Sequence, residues 1–177
     1  MTPREEVLCS TLAILIDEME YNIVEGTKCA AAVSTILEKG SGIGTTVVNF
    51  ATERYLMLYT KGRKLNHLFR NSDALRMAIK TAGLGASKAT AERVVREAAK
   101  FGWNIAAQNL AKLILGRDLN AQEVTWLVDA YIEDRACQSD ETERELVLLA
   151  RKHLSKEKAT LVEKRLEEFK KEFQDSD

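Results

Sequence analysis

The chain has 177 residues, 45% of them apolar and 30% charged, with a formal net charge of −1. A chain of this length suits one domain, or one domain with a helical appendage, and can bury well over half of its unfolded surface without staples. Three scattered cysteines, Cys9, Cys29 and Cys137, argue against a disulfide framework or a structural zinc site, and apolar runs such as Leu12–Ile16 are too short to span a bilayer.

Pro3 is the only proline, so nothing downstream forbids long helices. Thr2 reads as an N-cap, Pro3 as the first helical residue and Glu5 as the capping-box partner. Leu8, Leu12, Leu15, Met19 and Ile23 recur at helical spacing, and Gly26 is the expected stop. A second helix is predicted from about Lys28 to Lys39, broken by Gly40-Ser41-Gly42-Ile43-Gly44. Thr46 to Thr60 follows as a third helix, with Lys61 to Asn71 as a loop or short basic helix.

Ser72 caps a helix running to about Ala82, and Ser87 caps the next, whose apolar positions are Ala91, Val94, Val95, Ala98 and Phe101. A short apolar helix from Ile105 to Leu115 ends at Gly116. Asn120 caps another, with Glu123 in the capping-box position. Ser139 or Asp140 opens a further helix, and Ser155 opens the last, with Ala159, Val162, Leu166, Phe169 and Phe173 along one seam.

Charge is unevenly spread. Residues 61–100 hold ten cations (Lys61, Arg63, Lys64, Arg70, Arg76, Lys80, Lys88, Arg93, Arg96, Lys100) and three acids (Asp73, Glu92, Glu97), ten minus three giving +7. With −1 overall, the rest of the chain carries −8. A cationic centre of this kind points to an anionic partner such as nucleic acid.

Within that centre, Gly83-Leu84-Gly85 can act as the turn between two helices. The stretch Leu84 to Gly102, LGASKATAERVVREAAKFG, resembles the recognition-helix segment of bacterial helix-turn-helix transcription regulators. The resemblance covers about residues 73–102. It implies base contacts from Ser87, Lys88, Thr90 and Arg93, and a homodimer would suit paired half-sites. Lys61, Arg63, Lys64, Arg70 and Arg96 are candidates for phosphate contacts. Tyr55, Tyr59, His67 or Phe69 could stack on RNA bases, or be core aromatics.

A second resemblance comes from another class. Val94-Val95-Arg96-Glu97 followed by Gly102-Trp103-Asn104-Ile105-Ala106 is similar to the segment entering the central helix of Bcl-2-like proteins, although Ala107 stands where that family has arginine. It implies a hydrophobic groove for a partner helix, lined here by Trp103 and Trp126.

Signals for catalysis are weak. Gly40–Thr46 lacks the lysine of a phosphate-binding loop, because Thr45 occupies its place. His67 and His153 have no ligand partner at a metal-binding interval, and no nucleophile stands paired with a base.

The sequence thus predicts an all-α protein, a single globular helical bundle of about eight to ten helices. Residues 1–154 form the domain, 155–173 a helix packed on it or mediating dimerisation, and 174–177 a disordered tail. The expected function is non-enzymatic regulation through nucleic-acid binding, DNA before RNA, in a reducing cytoplasmic setting. It needs no cofactor, metal or membrane. A module binding a partner helix is the alternative.

Overall fold

The computed structural model describes the backbone of residues 1–21, 23–40, 43–65, 71–134 and 140–174. Its regular elements are nine α-helices and one π-helical turn, and no strand occurs among the described residues, so the chain is all-α. The helices are α1 (Pro3–Tyr21), α2 (Ile23–Lys39), α3 (Thr45–Leu65), α4 (Asn71–Ala82), α5 (Lys88–Lys100), α6 (Asn104–Leu110), α7 (Ala121–Asp134), α8 (Asp140–His153) and α9 (Lys156–Gln174). The π-turn, Ala111–Leu115, continues α6.

Two compact units share these elements. The first comprises Met1–Val94 with Leu110–Gly116, the second Val95–Asn109 with Arg117–Asp177. The boundary falls inside α5, and α9 belongs with α7 and α8 rather than standing apart. In the first unit α1 packs on α2 and α3, and α4 lies along α3. Leu12, Ile16, Val33, Val47, Tyr55 and Leu75 are wholly buried there. In the second unit α8 packs on α7 and α9, enclosing Leu127, Val128, Leu146, Ala150 and Val162.

The helix starts follow their caps. Thr2 Oγ1 accepts the Glu5 N–H at 3.2 Å while Glu5 Oε2 accepts the Thr2 N–H at 2.7 Å, a closed capping box. Ser155 Oγ accepts the Lys158 N–H at 3.3 Å and starts α9. At Gly40 the chain turns out of α2 with its N–H still on the Ile36 carbonyl at 2.9 Å, and a Cβ there would collide with that oxygen. Glycine is therefore required at this break.

One expectation changes and two open alternatives are decided. Gly26 does not end the first helix: α1 stops at Tyr21 and Gly26 lies within α2, so packing of α1 against α2 overrides the local glycine preference. Of the two alternatives for Lys61 onward the helical one holds as far as Leu65, since Lys61–Leu65 form the last turn of α3. Tyr55 and Tyr59 are buried to 0% and 1% exposure, so neither can stack on a base. His67, Phe69, Cys137 and the tail 175–177 lie outside the described residues.

Tyr55 is an unusual core residue. Its hydroxyl is buried without a hydrogen-bond partner, and burial, with Cys29 adding to it, pushes its pKa well above the ordinary phenol range. A buried polar group left unsatisfied costs roughly 1–3 kcal/mol. Tyr55→Phe should therefore stabilise the protein by about 1 kcal/mol. In urea unfolding the midpoint should rise with an unchanged slope. A lowered midpoint would mean that the hydroxyl holds a stabilising contact.

Candidate nucleic-acid interface

The predicted turn forms between α4 and α5. Gly83, Leu84 and Gly85 donate their N–H groups to Ile79, Thr81 and Ala82 carbonyls at 3.1, 3.0 and 3.2 Å. Gly85 has φ +118°, a conformation that side chains strongly disfavour. The Ser87 N–H then donates to Asn49 Oδ1 at 2.8 Å, fixing the entry of α5 to α3. Ser87 Oγ accepts the Thr90 N–H at 3.3 Å and lies 3.2 Å from Thr90 Oγ1, so Ser87 is the N-cap of α5.

α5 is strongly two-sided. Ala91, Val94, Val95 and Ala98 are fully buried. Lys88, Arg93, Arg96 and Lys100 are exposed and fall within roughly 140° of arc at 3.6 residues per turn. Glu92 is exposed within the same arc. Arg93, Arg96 and Lys100 therefore share a face within roughly 60° of arc, while Lys88 falls at its far edge beside the fully buried Ala99, and Glu92 lies between them.

The residues carried over from the helix-turn-helix resemblance divide sharply. Thr90 is only 6% exposed, so it cannot touch a base edge. Ser87 is half-buried and committed to the cap. Lys88 remains exposed and without a described partner, and Arg93 is 59% exposed. The arrangement also departs from that motif in its packing, since α4 runs along α3 and α2 rather than along α5.

The other cations are dispersed in role. Arg93 pairs with Glu53 at 2.5 Å, Lys80 with Glu38 at 2.9 Å and Lys100 with Glu97 at 3.2 Å. Lys100 Nζ also sits 5.3 Å from the Trp126 ring centroid. Arg96 is exposed, and its charge helps to hold the Glu123 carboxyl ionised. Lys61 is exposed at the end of α3 and has further interactions. The side chains of Arg63 and Lys64, and all of Arg70, lie outside the described residues.

Glu38 and Glu53 are what the sequence count missed. They lie outside the basic block, about forty residues from their partners, and meet them only through packing of α2 against α4 and the approach of α3 to α5. The +7 of residues 61–100 is thus partly offset in space. These exposed pairs are weak, each worth about 0–1 kcal/mol, so a phosphate can displace the carboxylate at small cost.

The best-built polar cluster is structural. Glu123, 4% exposed, receives both Arg117 guanidinium nitrogens at 2.8 Å and the Asn120 N–H at 2.8 Å, while Asn120 Oδ1 accepts the Glu123 N–H at 3.0 Å. Burial alone would raise the Glu123 pKa. The Arg117 hydrogen bonds, the Asn120 N–H and the charges of Arg117 and Arg96 outweigh it and hold the carboxyl below its ordinary value.

The two tryptophans expected to line a groove are both half-buried with separate neighbours. Trp103 meets Phe101 edge-on at 4.8 Å and 70°, and Trp126 lies under Lys100. Among the described residues no group of three or more His, Cys, Asp and Glu could hold a metal ion, and no helix is long and apolar enough to cross a membrane. No protein-family model, curated protein or solved structure matches the chain.

Proposed function

We propose that this is a non-enzymatic regulatory protein that binds nucleic acid, duplex DNA in the first place, through the exposed face of α5. The observation that carries the reading is the shared exposed face of Arg93, Arg96 and Lys100 on α5, with Lys88 exposed at the start of the same helix. Lysine and arginine on such a face bind phosphate oxygens and release counterions. With Ser87 and Thr90 held in the cap, the binding is dominated by the backbone of the nucleic acid, and Lys88 and Arg93 act as phosphate contacts.

The expected result is a steep salt dependence. Three phosphate contacts give a slope of about −2.7 in log K against log salt, or about a fortyfold loss of affinity between 50 and 200 mM. Fluorescence anisotropy with labelled duplex measures it. A dissociation constant that stays flat across this range would exclude the reading.

One observation favours the second reading, a module binding an amphipathic partner helix. Val7 and Ile14 are each 67% exposed and stand seven residues apart on α1, leaving an apolar stripe uncovered. That reading requires binding that is insensitive to salt.

A further inference from the structure

A small apolar patch lies at the turn before α5, on a different feature from the cationic helix face. Leu84, at the tip of the α4–α5 turn, is 40% exposed, and Leu113, in the π-turn, is 67% exposed. The two segments meet here. A side chain built on Gly83, next to Leu84, would stand 3.9 Å from the Leu113 Cδ2 atom. Both segments belong to the first unit.

The π-turn has a local cause. The Gly116 N–H donates to the Ala111 carbonyl, five residues back, and Gly116 adopts φ 65° and ψ 28° to close it. An α-helical closure would have used the Lys112 carbonyl; the wider loop takes in one more residue. Such turns are costly relative to α-helix and are concentrated at functional positions. This one leaves Lys112 and Leu113 both exposed beside the Gly83 turn.

Charge says what kind of surface would cover the leucines. No Asp or Glu occurs between Asp73 and Glu92, or between Glu97 and Asp118. Each leucine therefore stands in an acid-free stretch of chain. Lys112 adjoins Leu113 and is exposed with no ion pair to a described residue. Exposed leucines gain nothing from a phosphate backbone, whereas an acidic amphipathic helix offers apolar anchors to the leucines and a carboxylate to Lys112.

We infer that the Leu84–Leu113 patch is a docking site for an acidic amphipathic helix of a partner protein. This goes beyond the α5 face and does not depend on nucleic-acid binding there.

The probe is a labelled fifteen-residue peptide with leucine at helical three- and four-residue steps and glutamate elsewhere (a design choice following the helical period). Its control is the same composition scrambled so that no leucine face forms. The patterned peptide should bind the full chain and the scrambled one should not. Leu84→Ser with Leu113→Ser should weaken binding by about tenfold or more, the loss of roughly 1.4 kcal/mol of apolar contact. Lys112→Glu should weaken it further. Circular dichroism and duplex binding should both stay unchanged in the leucine variant, which separates this site from the α5 face. Equal binding of both peptides, or no binding of either, would overturn the inference. So would binding to phosphatidylserine vesicles with none to the patterned peptide, because the patch would then be a membrane contact.

Discussion

Lys88→Glu combined with Arg93→Glu should weaken duplex DNA binding by more than about a hundredfold at low salt, as expected for losing two charge-assisted hydrogen bonds at roughly 1.5 kcal/mol or more each. Both side chains are exposed, so helix content should be retained. The arrangement also dictates a change in the opposite direction. Arg93 is held by Glu53 at 2.5 Å. Glu53→Gln removes that competitor and should tighten duplex binding by a few-fold, since an exposed ion pair restrains the arginine by only about 1 kcal/mol. A purely scaffolding role for Arg93 predicts no gain from Glu53→Gln. Titration of the three proteins by anisotropy, with circular dichroism to verify folding, distinguishes the two.

Glu123→Ala should have the largest effect on stability. It removes the acceptor of both Arg117 guanidinium nitrogens and of the Asn120 N–H and opens the capping box that starts α7. Leu119 and Val124, at the staple positions on either side of that cap, are 2% and 0% exposed, so an error there reaches the core of the second unit. Losing the cap carboxylate and a pair whose arginine is 33% exposed costs about 2 kcal/mol, which should lower the melting temperature by roughly 4–8 °C for a chain of this size. Glu123→Gln keeps an oxygen for the cap but not the charge, and should cost less. The sign of the pH effect follows from the lowered carboxyl pKa. Glu123 stabilises the fold fully above the ordinary carboxylate range, and that contribution disappears as pH falls through the lower folded-state value. Wild type should therefore lose stability on acidification more steeply than Glu123→Gln. Equal stability of Glu123→Ala and wild type at neutral pH would rule out this role.

The helix starts were legible because a cap is local. Thr2 with Glu5, Ser87 with Thr90, Asn120 with Glu123 and Ser155 with Lys158 all act across three residues, and the sequence places those residues together. The helix ends were less legible. Gly26 reads as a stop and is not one, since the packing of α1 against α2 decides the break. The ending of α6 at Gly116 was readable, but not the π-turn before it, because nothing in the composition distinguishes a five-residue closure from a four-residue one.

The site divides along the same line. The sequence could place Lys88, Arg93 and Arg96 on the polar side of a helix. It also held the signal that Thr90 belongs to the other side, because Thr90 precedes Val94 by four residues and so shares its face. The pairing of Arg93 with Glu53 and of Lys80 with Glu38 joins residues about forty apart, and no local pattern encodes it. A net charge counted along the chain therefore overstated the charge gathered in space.

The most direct test of the central claim is duplex DNA binding measured across salt concentrations for wild type and the Lys88→Glu, Arg93→Glu variant side by side. The account predicts a steep negative slope for wild type and a shallower one for the variant, reduced by about 1.8 for two lost phosphate contacts. Parallel slopes, or binding that neither salt nor the two substitutions alters, would contradict it and leave the exposed face of α5 as solvated surface.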